Sequence, residues 1–168
     1  MSRASTTVIL LTAALAVSAC SKKRPEELPP PPGPVQSEAT DRGNSIVPGS
    51  QADFVQQMAG QDVIYFDTDR FNIDNIDAAA LQSQAQWLAR YPNKRATIEG
   101  HADERGTREY NLALGERRAN AAKNYLQSLG IDASRLTTVS YGKERPKALG
   151  SNEQAWAQNR RAVTITID

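Results

Sequence analysis

The chain holds one histidine and one cysteine in 168 residues, few aromatics (6%) and almost no net charge (+1). Each scarcity removes a class of function. A single cysteine cannot close an internal disulfide. A single histidine, His101, leaves a zinc site to carboxylates alone, outside the usual ligand sets. No G-x-S-x-G segment supplies a serine on a strained elbow beside a base. A nucleic-acid binder should carry a basic stripe, and 20 basic residues against 19 acidic ones give none. Long apolar runs are also missing: Val8 to Val17 is too short to span a bilayer as a stable helix.

That short run has another use. It follows one basic residue, Arg3, and leads into small residues directly before Cys20, the layout of an export signal over residues 1–19. "LAVSAC" resembles the bacterial lipobox, in which the cysteine becomes a lipidated N-terminus; an ordinary signal peptide cut near Ala19 would instead leave an unpaired thiol in an oxidising compartment. Lasting anchorage needs more than one acyl chain, and lipoproteins similar to this chain carry three, on an N-palmitoyl, S-diacylglycerol cysteine. Ser21, which is not aspartate, implies by the same resemblance export to the outer membrane. Loss of Arg3 leaves 19 basic residues against 19 acidic ones, so the mature chain is electrically balanced.

Residues 20–52 read as a lipidated cysteine and tether, rich in proline, glycine and charge. Five prolines between Pro29 and Pro34, broken only by Gly33, favour an extended polyproline segment of about 3.1 Å per residue, although a proline docking motif has the same composition. Residues 53–168 read as one folded domain.

Within it, "DVIYF" (Asp62 to Phe66) is a buried strand. A helix follows, capped by Asp74 or Asn75, with Leu81, Ala85 and Leu88 on one face and "YPN" (Tyr91 to Asn93) as its stop. "RATIEGHA" is the second strand. Asn111 to Leu129 is the strongest helix, with Leu114, Ala121, Ala122, Tyr125 and Leu129 on one stripe, Gly130 as a left-handed cap and Ile131 folding back on the last turn. "RLTTVSYG", a short helix "NEQAWAQN" and "AVTITID" complete the order. This predicts an α/β (α+β) sandwich, one sheet of four strands covered on one face by two main helices, plus a short helix.

The stretch "GHADERGTREYN" (Gly100 to Asn111) concentrates the chemistry. A strand-end histidine after glycine reads as structural, bonded to neighbouring backbone. Arg118 falls on the apolar stripe of the long helix, and a buried cation needs a partner. Asn111, Gly115, Arg118 and Ala122 form one row, and glycine inside a helix costs about 1 kcal/mol relative to alanine, so something needs the space at Gly115. The row points towards Asp103. Arginine grips a carboxylate through two parallel hydrogen bonds and aspartate takes an ammonium, so the set suits a zwitterion. An internal Asp103 to Arg118 ion pair serving only the fold is the open alternative.

"GHADERGTREYNLALGERRANAAKNYL", with "SYGKERP" and "NRRA" further on, resembles the signature of the OmpA-like peptidoglycan-binding domain family, over Val63 to Asp168. Ala102 after His101, Gly115 after Leu114, the lipobox and the tether are similar to the family's outer-membrane lipoprotein branch. The resemblance implies a mixed sheet and a non-catalytic protein without cofactor or metal. It implies a ligand, the diaminopimelate side chain of the peptidoglycan stem peptide. By position, Asp103 would take its ammonium and Arg118 its carboxylate, with Asn111 supporting, Asp69 of "FDTD" on the rim and Arg161 of "NRRA" as a second cation; Arg160 is an equally available neighbour. Implied partners are TolB and other Tol-Pal components, with a role in outer-membrane constriction at division, or the same anchor without TolB. Arg108 stands where that branch often has proline, and Ala162 where the family often has valine. A peptidoglycan hydrolase or amidase would need an activated water or nucleophile that the sequence does not supply.

Overall fold

The computed structural model describes residues 46–167, so the expected signal peptide, Cys20 and nearly all of the tether lie outside the described residues. The described chain forms α1 (Gln51–Met58), β1 (Val63–Tyr65), α2 (Asn75–Arg90), β2 (Arg95–His101), α3 (Arg108–Ser128), a 3-10 turn (Ala133–Arg135), β3 (Leu136–Gly142), α4 (Glu153–Asn159) and β4 (Arg161–Ile167). The sheet order is β1-β4-β2-β3. β2 and β3 run parallel, joined by the α3 crossover, while β4 lies antiparallel to both β1 and β2. This is the mixed four-stranded sheet expected from the sequence, with α2 and α3 packed on the face that carries Ile64, Ala96, Ile98, Leu136 and Ala162.

The elements start and stop for local reasons. Asp74 caps α2, its carboxylate accepting from Ile76 N and Asp77 N at 2.8 Å each. The end of α2 and the turn after it are met by Arg135, which donates to Leu88 O in the last turn, to Tyr91 O at the C-cap and to Lys94 O before β2. Helix α3 begins three residues ahead of the expected Asn111, because Thr107 caps it through Tyr110 N. Arg108 is thus its first residue, where a proline would also fit. Gly130 takes φ +93, Ile131 N bonds Leu126 O at 3.2 Å, and Ile131 enters the core, as the sequence suggested. The buried stripe of α3 is carried by Leu114, Ala119, Ala122 and Leu126, whereas Leu129 is exposed.

Helix α1 was not anticipated; Ser50 caps it. Its anchor is partly polar. Buried Asp53 accepts from Gly49 N (2.9 Å), Gln57 Nε2 (2.7 Å) and Trp87 Nε1 (3.0 Å), while Phe54 packs edge-on to Trp87. Trp87, Phe54, Leu81, Leu88, Ile98 and Leu126 are fully buried, each such side chain contributing about 1.5–3 kcal/mol.

One buried carboxylate opposes this gain. Asp77 Oδ1 accepts from Tyr65 N at 3.1 Å, but Oδ2 has no partner, and burial pushes the carboxyl up to about 6. An unfolded aspartate titrates near 3.9, so between those values the folded chain holds a proton that the unfolded chain has lost, and stability falls as pH rises through the window. Asp77→Asn keeps the acceptor for Tyr65 N and removes the ionisation. It should melt higher than wild type at pH 8, with the gap closing towards pH 4; a gap independent of pH would remove Asp77 ionisation as its source.

Candidate functional site

Three segments meet at one end of the sheet. The end of β2 delivers Asp103, the loop after β1 delivers Thr68 and Asp69, and the first turns of α3 deliver Tyr110, Asn111, Leu114 and Arg118, spaced to share one helix face. With Arg105 and Gly106 they line a cavity of about 260 Å³. Four of the five expected site residues, Asp69, Asp103, Asn111 and Arg118, therefore share one pocket. Arg161 does not line it. Its guanidinium donates to Asn159 O and Arg145 O, and its neighbour Arg160 is the one that reaches Asp103, Nη1 to Oδ2 at 3.5 Å. Arg160 also donates to Phe66 O and to Glu153.

Arg118 is fully buried (0% exposed), and its partners are backbone carbonyls rather than a carboxylate. Nε donates to Arg70 O (2.9 Å), Nη1 to His101 O (2.8 Å) and Nη2 to Asp67 O (3.0 Å), tying the loop after β1 to the end of β2. Burial first, then repulsion from Arg160, bring its pKa down to about 10, so it stays charged at neutral pH. Among the described residues no Asp103 to Arg118 ion pair forms, which removes the purely internal pair as an account of these two groups. A guanidinium has five N–H donors; three are engaged here, leaving one on each terminal nitrogen.

The space at Gly115 goes to the sheet rather than to a ligand. A Cβ there would collide with Ser140 Oγ and lie 2.8 Å from Gly100 O, and one on Gly100 would strike Gly115 O. The two glycines let α3 lie directly on β2, which sets the depth at which Arg118 meets the strand end. A register shift between Gly100 and His101 breaks the β2–β3 ladder at that point.

Asp103 is 7% exposed. Burial pushes its carboxyl up, but the hydrogen bonds and charge of Arg105, with Arg160 behind, outweigh that and hold it below the usual carboxylate range. Asn111 Nδ2 braces the loop by donating to Arg105 O at 2.7 Å. Asp69 takes the left-handed φ +56, unusual for a residue with a Cβ, and its carboxylate accepts from Tyr110 Oη at 3.1 Å. Arg105, Gly106, Tyr110, Leu114 and Thr68 complete the pocket, and Arg160 approaches Asp103 from outside it. In the sequence Arg105 and Tyr110 were legible only as neighbours of Asp103 and Asn111.

His101 contributes its carbonyl to Arg118 and nothing from its ring. The ring is 1% exposed, lies 5.6 Å from the Tyr141 ring, and neither nitrogen has a hydrogen-bond partner, contrary to the expectation that it bonds backbone. Burial, with Arg161 and Arg145 nearby, lowers its pKa to about 4, so it is neutral at pH 7.

Arg118→Ala should cost at least about 3 kcal/mol in chemical denaturation, since three carbonyls lose their donor. Arg118→Lys should recover only part, because an ammonium cannot reproduce the planar fork. Near-wild-type stability of Arg118→Ala would mean that the three carbonyls find water instead.

The sequence pattern of the OmpA family matches residues 65–160. The peptidoglycan-associated lipoprotein of Agrobacterium fabrum is 57% identical over 121 residues, 72% of this chain and 67% of that protein. That of Rhizobium meliloti is 58% identical over 118 residues, 70% of this chain and 66% of that one. The alignments thus span about two thirds of these relatives' own length. The crystal structure of the peptidoglycan-associated lipoprotein from Burkholderia pseudomallei superposes with a TM-score of 0.61 at 46% identity, covering 62% of this chain and 89% of that one. The C-terminal domain of Helicobacter pylori MotB, 18% identical with a TM-score of 0.59, shares the fold. The relatives' names describe lipoproteins associated with peptidoglycan, not enzymes, in agreement with the non-catalytic expectation for this chain.

Proposed function

The chain belongs to the OmpA family, and from that premise we propose that it is a non-catalytic tether that holds peptidoglycan in the pocket between Asp103 and Arg118. The observation that carries this reading is the pocket's charge: an ionised carboxylate and a buried, protonated guanidinium share one cavity without pairing with each other. That arrangement is complementary to an amino acid head, the feature that diaminopimelate adds to a stem peptide. Asp103 receives the ammonium. Arg118, at the floor, presents its two remaining donors to the carboxylate. Asn111 keeps the Asp103 loop in shape, Asp69 closes the rim, and Arg160 replaces Arg161 as the second cation near the site.

At the other end Cys20, in its lipobox-like "LAVSAC", is the proposed attachment point for acyl chains in the outer membrane, with the folded domain in the periplasm. Two attachments joined by a linker turn a modest domain affinity into a durable connection, because the linker sets a high local concentration. TolB and other Tol-Pal components are the proposed protein partners, and outer-membrane constriction at division the proposed setting. This wider assignment is supported by the likeness to the peptidoglycan-associated lipoproteins. An anchor acting without TolB has the same pocket and would be told apart by pull-down with TolB.

The direct test is co-sedimentation of the full chain, solubilised in detergent, with purified diaminopimelate-type peptidoglycan. Wild type should sediment, and Asp103→Asn should bind at least about tenfold more weakly, as expected for one hydrogen bond to a charged group. Equal sedimentation of the two proteins would move the site elsewhere. Failure of wild type to sediment would end the peptidoglycan reading.

A further inference from the structure

The carboxylate assigned to the ligand's ammonium is already occupied in the empty protein. Arg105, two residues on, grips Asp103 as a fork, Nε to Oδ1 at 3.0 Å and Nη2 to Oδ2 at 2.7 Å, while its backbone N donates to Oδ1 at 3.1 Å. An incoming ammonium therefore meets a cation in its place. The two arginines on Asp103 differ in freedom. Arg160 is buried, with a 7% exposed side chain, and is held by Phe66 O and Glu153. The Arg105 side chain is 39% exposed, and among the described residues its only other side-chain hydrogen bond is a long one to Thr68 Oγ1, 3.3 Å.

In the same position Arg105 also rests on an aromatic ring. Its guanidinium lies 4.2 Å over the ring of Trp156 on α4, and that indole is fixed by its Nε1 donating to Glu104 Oε1 at 3.0 Å. A cation leaving Asp103 keeps the aromatic face beneath it and remains near Glu153, which already favours its charged form. The exchange replaces one cation on Asp103 with another, so the buried carboxylate is never left with Arg160 alone.

We propose that Arg105 is a displaceable stand-in for the ligand's ammonium: it neutralises Asp103 while the pocket is empty and withdraws onto Trp156 when an ammonium-bearing head enters. This rests on the reading of the pocket as an amino acid site. It makes Arg105 a determinant of affinity and selectivity, since only a ligand that brings its own cation can take its place on Asp103.

The test uses the full chain in detergent and a soluble muropeptide carrying diaminopimelate. Arg105→Gln, which removes the competing charge, should bind the muropeptide several-fold to tenfold more tightly, and Arg105→Lys should return the affinity towards wild type. A muropeptide whose terminal amine is acetylated should gain nothing from Arg105→Gln. Equal or weaker muropeptide binding by Arg105→Gln overturns the proposal, because Arg105 would then be holding Asp103 or the ligand in place. A second arm needs no ligand: in the empty protein, Asp103→Asn should release Arg105 and shift the indole N–H resonance of Trp156, a shift absent when the same change is made in Arg105→Gln. An unmoved resonance overturns the stand-in even where peptidoglycan binds. A moved resonance with no muropeptide binding by wild type upholds the exchange and overturns the peptidoglycan reading instead.

Discussion

Arg118 is the interaction on which the rest depends. It is a cation in the interior whose three engaged donors end on main-chain oxygens, two in the loop after β1 and one at the end of β2. Neither segment is long enough to hold its own shape: β1 is three residues, and β2 stops where its ladder to β3 slips. The guanidinium supplies the missing order, and the Phe66 ring, its centroid 5.2 Å from the guanidinium carbon, adds a packing surface. Asp69 and Asp103 lie in or beside the segments it ties together, so the geometry of two carboxylates is set by a side chain that contacts neither. The glycine pair at positions 100 and 115 is part of the same device, because a helix standing further from the strand would leave Arg118 short of His101 O.

Much of this was legible. Alternation and helical spacing located four strands and three helices, since burial on one face of a sheet imposes those periods. Asp74 and Gly130 marked helix ends because capping is local chemistry. Helix α1 escaped because it is eight residues long, offers only Phe54 and Met58 to the core, and is otherwise joined to the fold by polar contacts of Asp53 and Gln51. The site was half legible. Asp103, Asn111 and Arg118 follow from strand end and helix row, yet a buried arginine suggested a carboxylate partner, and backbone oxygens leave no mark in a sequence. Arg161 and Arg160 differ by one position at the start of β4, where only the register with β1 and β2 fixes which reaches Asp103. Arg105 reads as an ordinary charged loop residue until the turn that folds it back on Asp103 is known.

The ionisable groups of the domain fall into two kinds. Asp103, Asp53 and Arg118 are charged and surrounded by donors or acceptors that compensate for lost water. Asp77 and His101 are buried with nitrogens or an oxygen left unbonded, and both shift towards their neutral forms. Charge is thus compensated where donors or acceptors surround it, while Asp77 and His101, each left with unbonded atoms, shift towards their neutral forms.

Helix α1 has a mechanical meaning as well. α1 is fastened by Gln51 Oε1, which accepts from Thr166 N and Oγ1 on β4, by Asp53 on Trp87 of α2, and by Phe54 and Met58, which enter the core. A pull from the N-terminal side meets these polar bonds and the buried Phe54 and Met58 before it reaches β1. The pocket lies at the opposite end of β4, so the entry helix and the pocket stand in series along any force that crosses the domain. Tension arriving along the chain is thus met first by a short helix with a mixed polar and apolar anchor.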